Sequence, residues 1–181
     1  IKFQEGSKDR QVDVLIIVPT RELAQQIKDV FNVFEKDISP SFKTMAIYGG
    51  VSINPQMKSL FGVSILVATP GRLLDLVNSN AIHFDKLKTL VLDEADKLLN
   101  LGFKDEMSQI FSLLPSKRQN LLFSATLNEK VEEINQILLR NPTIINVTPK
   151  ENNLENISQL AYSISNEKKG PLLRHLIKSG N

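Results

Sequence analysis

The chain has 181 residues, of which 41% are hydrophobic and 23% charged, with a net charge of +2 and no cysteine. These are ordinary globular values that exclude a disordered chain, and no apolar run approaches the ~20 residues of a bilayer span. The lack of cysteine excludes a disulfide framework and a thiolate metal site, and it fits a reducing compartment, so a cytoplasmic protein without membrane attachment is expected.

A charge of +2 is too mild to argue for nucleic acid from composition, so position has to carry that argument. Residues 12–18, VDVLIIV, read as a buried strand and run into Pro19-Thr20-Arg21-Glu22. A helix over 21–35 follows, with Leu23, Ile27, Val30, Phe31 and Phe34 along one face. A second strand, 43–48, ends at Gly49-Gly50, and a third, 63–68, ends at Thr69-Pro70-Gly71-Arg72 with a helix over 72–78. The fourth, 87–92, runs into Asp93-Glu94-Ala95-Asp96, and a helix is expected near 103–114. Strand five, 120–123, precedes Ser124-Ala125-Thr126 and a helix over 129–140, which Asn141-Pro142 stops. A sixth strand is expected over 143–147.

This alternation predicts an α/β domain with helices on both faces of a mostly parallel sheet. Residues 148–156 are polar and read as a linker after a first domain of residues 1–147. Beyond it, SQLAYSIS alternates like a strand and EKKGPLLRHLIKSGN resembles the start of a broken helix. Residues 157–181 are too few to fold alone and read as the opening of a second domain.

The least scaffold-like residues all follow strand ends, where an open parallel sheet binds its ligands. Asp93 suits Mg²⁺, a hard cation that keeps part of its water shell, and Glu94 could orient or deprotonate a water. Acids also suit a helix start electrostatically, so that simpler reading stands beside the first. Pro19-Thr20 and Thr69-Pro70-Gly71 bring backbone N–H groups, hydroxyls and arginines to a rim that suits phosphate oxygens. Gly49, Gly50 and Gly71 permit close backbone approach or serve as tight turns, and Arg21 or Arg72 taken singly reads as a solvated surface residue. Ser124 and Thr126 could cap the next helix, as could Asn128, or bond to Asp96 across the sheet end. His83 and His175 stand at no ligand spacing, and with no Trp and two Tyr there is no base-stacking platform.

The ordered set PTRELA, GG, TPGR, DEAD and SAT resembles the first RecA-like lobe of a DEAD-box RNA helicase, over about residues 12–147. The resemblance implies a RecA-like three-layer sandwich and ATP with Mg²⁺ as cofactors. Asp93 would be the carboxylate associated with Mg²⁺, through water, and Glu94 the residue that positions the attacking water. Asp96, Ser124 and Thr126 would couple the nucleotide state to unwinding. Pro19, Thr20, Arg21, Gly49, Gly50, Thr69, Pro70, Gly71 and Arg72 would line the backbone of one RNA strand. RNA is the implied partner, and protein activators are compatible with it.

One part of the pattern is missing. The family's phosphate loop, A-x-x-G-x-G-K-T, has no counterpart here, since no G-K-[S/T] occurs in the 181 residues. The expectation is that it lies upstream of Ile1 and that the chain as given does not hydrolyse ATP. Two other readings stay open: an RNA-binding clamp without turnover, and a DNA-directed translocase with related lobes.

Overall fold

Four-residue apolar runs, VLII, TMAI, ILVA and TLVL, build the centre of the molecule. In the computed structural model, which describes residues 10–35, 42–147 and 158–179, they form β1 (Val14–Ile17), β2 (Thr44–Ile47), β3 (Ile65–Ala68) and β4 (Thr89–Leu92). With β5 (Gln119–Leu122) they make one sheet in the order β2-β3-β1-β4-β5, every pair parallel. Among the described residues six helices accompany it, α1 (Arg21–Glu35), α2 (Ile53–Ser59), α3 (Pro70–Asn78), α4 (Ala95–Asn100), α5 (Lys104–Ser112) and α6 (Glu129–Leu138), and a further helix, α7 (Lys169–Ser179), lies in the C-terminal segment.

Handedness decides which face each helix covers. The chain steps one way across the sheet from β1 to β2, then the opposite way from β2 through β3 and β4 to β5. Right-handed crossovers therefore put α1 on one face and the later connections on the other. The core follows this division. Val14, Ile16, Val18, Ile65 and Val67 pack with Ala24, Leu23, Ile27 and Phe31 of α1. Alternate residues of the same strands, Leu15, Ile17, Leu66 and Ala68, face Leu73 and Leu76 of α3, Leu98 of α4, Met107 and Ile110 of α5, and Val131 and Ile134 of α6. Strands buried on both faces read as continuous apolar runs because neither face meets water. β5 differs: its residues are exposed or half-buried throughout.

The structure corrects three expectations. The sheet has no sixth strand at 143–147 among the described residues, and Ile145 there is 83% exposed. SQLAYSIS forms no strand either, and Leu160 and Tyr162 within it are exposed. Alternation favours a strand only where a neighbour takes up its N–H and C=O groups, and neither segment has one among the described residues. A short helix, α2, stands where none was expected, and α4 begins at the acids that the simpler reading took as a helix start. The linker at 148–156 lies outside the described residues.

The chain divides into two compact units, Ile1–Pro142 and Thr143–Asn181. The second holds a turn of 3-10 helix, Asn166–Lys168, that leads into α7, so the tail is a continuous helix rather than a broken one. No helix of the described residues is long and apolar enough to cross a membrane.

Candidate functional site

Register brings the five polar clusters to one level. Ile17 lies between Ala68 and Leu92, Ala68 pairs onward with Ile47, and Leu92 with Leu122. One further ladder bond follows four of the strands: Val18 N–H to Ala68 O (3.0 Å), Thr69 N–H to Ile47 O (3.1 Å), Asp93 N–H to Ile17 O (3.0 Å) and Phe123 N–H to Leu92 O (2.8 Å). Past those bonds the chain is released from the sheet, and each cluster leaves the same carboxyl rim.

Asp93 and Glu94 sit beyond the strand β4, next to β1 at the sheet's centre. The Asp93 carboxylate accepts the Glu94 backbone N–H at 2.9 Å. Glu94 turns strand into helix within one residue, in the left-handed region at φ +50° and ψ +50°. That conformation costs a non-glycine residue ~1–2 kcal/mol, and such strain collects at functional sites. Its carboxylate accepts a hydrogen bond from Lys97 Nζ at 2.6 Å, one turn along α4, and this bond with the glutamate's charge raises the Lys97 pKa above the ordinary lysine value. The start of α4 is tied to β5 by Ala95 N–H to Phe123 O, 3.0 Å.

Asp96 is 8% exposed. Burial pushes its carboxyl up, but the hydrogen bond from the Thr126 side chain, the nearby Ser124 hydroxyl and backbone N–H groups prevail and hold it below the usual carboxylate range. Thr126 Oγ1 donates to Asp96 Oδ2 at 3.0 Å, whereas Ser124 Oγ gives its proton to the Thr126 carbonyl at 2.7 Å, so Thr126 is the stronger partner. Helix capping falls to Asn128, whose side chain accepts the Val131 N–H at 3.0 Å.

The other half of the rim combines backbone and hydroxyls. Thr20 Oγ1 accepts the Leu23 N–H at 3.2 Å at the start of α1, behind a buried Pro19. Thr69 precedes α3 with Pro70 as the first helical residue, and its hydroxyl makes no capping bond. Around Gly71 the space is open where a side chain would stand. Gly50 holds φ +82°, and a Cβ there would lie 3.9 Å from Arg21 Nη1. Arg21 is exposed and paired with Glu22 at 2.6 Å. Arg72 is not the solvated residue that its chemistry alone suggests: it is 9% exposed, with Nη2 on the Val51 carbonyl at 2.8 Å. Gln56 of α2 was absent from the sequence reading, yet it holds the Tyr48 carbonyl at 3.2 Å. A signal existed in Ser52 followed by Pro55, an N-cap residue and a first-turn proline.

Residues 2–134 match the sequence model of the DEAD/DEAH box helicase family. The chain belongs to that family. This DEAD/DEAH box chain is 37% identical over 171 residues to the ATP-dependent RNA helicase CshA of Listeria monocytogenes, covering 94% of itself and 32% of that relative. It is also 37% identical over 167 residues to the DEAD-box ATP-dependent RNA helicase RhpA of Helicobacter pylori, covering 92% of itself and 34% of the relative. The chain thus spans about a third of the length of these curated relatives. A crystal structure of the yeast DEAD-box splicing factor Prp28 superposes with a TM-score of 0.65 at 38% identity, over 71% of this chain and 30% of the other. The five-stranded all-parallel sheet with flanking helices is accordingly the RecA-like architecture of a DEAD-box domain.

Proposed function

We propose that this domain is part of an ATP-dependent RNA helicase, in which Mg-ATP binding and hydrolysis drive RNA strand binding and local unwinding. The observation that carries the reading is the acid turn after β4, with Asp93 and Glu94 on a strained corner and Asp96 held by Thr126 from the end of β5.

The donors present suit the cofactors. Among the described residues no cluster of three acidic, histidine or cysteine side chains could hold a metal alone. One half-buried carboxylate, Asp93, is what Mg²⁺ uses when nucleotide phosphates and water complete its octahedron. Bound there with ATP, the ion would neutralise and orient the terminal phosphates. Glu94 orients the attacking water and receives its proton, a role that requires it to leave Lys97. Asp96, Thr126 and Ser124 pass the state of that corner to the β5–α6 connection.

RNA lies along the remaining rim. Pro19, Thr20, Arg21, Gly49, Gly50, Thr69, Pro70 and Gly71 offer backbone amides, hydroxyls and one exposed guanidinium, which position a sugar-phosphate chain without reading bases. Arg72 belongs to the same rim and supports it from inside. Residues 148–156 link this lobe to the opening of a second at 157–181. The chain itself has no G-K-[S/T] loop to grip the β and γ phosphates, so turnover is a property of the longer protein. A cytoplasmic location and activation by partner proteins accompany this reading.

The test is RNA-stimulated ATP hydrolysis by the longer protein, with Glu94→Gln as the variant. RNA should stimulate turnover more than DNA of the same sequence, and the variant should lose turnover while it retains RNA binding. Turnover unaffected by Glu94→Gln would overturn the catalytic assignment. RNA binding without any turnover in the unaltered protein would instead make it a clamp.

A further inference from the structure

The loop after β2 is held from two helices at once. Gln56 of α2 donates from Nε2 to the Tyr48 carbonyl at 3.2 Å, and Arg72 of α3 donates from Nη2 to the Val51 carbonyl at 2.8 Å. Those two carbonyls bracket Gly49-Gly50, the second at a φ of +82° that favours glycine. Gln56 and Arg72 are each 9% exposed.

The guanidinium of Arg72 has no face left for a ligand. Nε lies 3.4 Å from Asp75 Oδ2, Nη2 is on Val51, and Nη1 is sealed from solvent without a hydrogen-bond partner among the described residues. An arginine that grips a phosphate usually presents two parallel N–H groups to it. Gln56 Oε1 is likewise buried and unpartnered. Each unpaired buried group costs ~1–3 kcal/mol, a cost that apolar side chains of the same shape would avoid. What these two side chains provide in return is a fixed geometry for two carbonyls. Arg21 contrasts with them, since it is 63% exposed and reaches over Gly50 from α1.

We infer that Gln56 and Arg72 form a two-sided clamp that fixes the Gly49-Gly50 turn in the shape that receives an RNA backbone. Arg72 is thus a positioning residue rather than a phosphate contact. The inference rests on the reading of the rim as an RNA site.

The experiment uses the 181-residue chain and the variants Gln56→Leu, Arg72→Met and Arg21→Ala. Backbone amide exchange at Gly49, Gly50 and Val51 is measured without RNA. Affinity for a single-stranded uridine oligomer is then measured across a salt series. Both clamp variants should speed exchange at the turn and weaken RNA binding roughly three- to tenfold, the worth of one hydrogen bond, with an unchanged salt slope. Arg21→Ala should flatten the slope by about 0.7, one phosphate contact on a single strand, and leave exchange at the turn unaltered.

Unaltered exchange in Gln56→Leu, the variant that keeps every charge, would overturn the clamp. A slope flattened by about 0.7 in Arg72→Met would overturn the positioning role and make Arg72 a phosphate contact. If the unaltered chain binds no RNA while exchange still responds to Gln56→Leu, the RNA reading of the rim fails and the positioning role falls with it. The exchange data therefore separate the two failures.

Discussion

Thr126 Oγ1 lies 3.0 Å from Asp96 Oδ2, thirty residues away in sequence, and joins the segment after β5 to the first turn of α4. The carboxylate is buried, so this hydroxyl supplies solvation that water cannot. Thr126→Ala should destabilise the domain by about 1–3 kcal/mol, as removal of a donor from a buried charge does, and Thr126→Ser should restore most of the loss. Urea unfolding of the two variants measures the difference. Equal stability of alanine and serine variants would show that the bond contributes nothing.

The same carboxylate sets a pH dependence. Its folded-state pKa is lowered from the ordinary aspartate value of 3.8, so the unfolded chain takes up the proton more readily. The stabilisation is therefore complete above that value and lost as pH falls through the lower folded pKa. Acid unfolding of Thr126→Ala should begin at higher pH than that of the unaltered chain, and a titration followed by circular dichroism reads the shift directly.

Glu94 gives a prediction in which stability and activity part. Its left-handed backbone suits glycine, so Glu94→Gly should raise stability by up to about 1 kcal/mol, whereas Glu94→Val should lower it by ~1–2 kcal/mol. In the longer protein both changes should abolish ATP turnover. Thermal unfolding beside an ATPase assay checks the pair, and a glycine variant less stable than the parent would contradict the strain.

Surface charge should matter little. Lys104 and Glu133 pair at 2.6 Å, both more than half exposed, and solvent screens such pairs. Lys104→Ala should leave the melting temperature unchanged within error. Leu90→Ala, at a fully buried position of β4, should cost about 2–5 kcal/mol through lost burial and the cavity left behind.

The opposite fates of similar residues show what could be read in advance. Helix α1 is legible from its apolar stripe, of which Leu23, Ile27 and Phe31 pack on the sheet while Val30 and Phe34 are exposed. α4 is legible only at its acids, because a six-residue helix contributes too few apolar positions for a period, and its start depends on a glutamate in a glycine-like conformation. The run at 143–147 has the composition of a strand and no neighbour among the described residues. Composition states what a segment can pair with, and only the assembled sheet supplies the partner.

By itself the sequence determined the four apolar strands β1 to β4, their alternation with helices and the polar clusters that follow them, because burial on two faces demands uninterrupted hydrophobic runs. It also carried the motifs that mark the family. Tertiary structure decided which of the clustered groups meet. Thr126 and Asn128 are chemically alike as caps, yet one binds Asp96 and the other binds its own helix. Arg21 and Arg72 are the same residue type after two neighbouring strands, yet one faces solvent and the other is buried under a loop. Those outcomes depend on contacts between elements distant in sequence, and local periodicity holds no record of them.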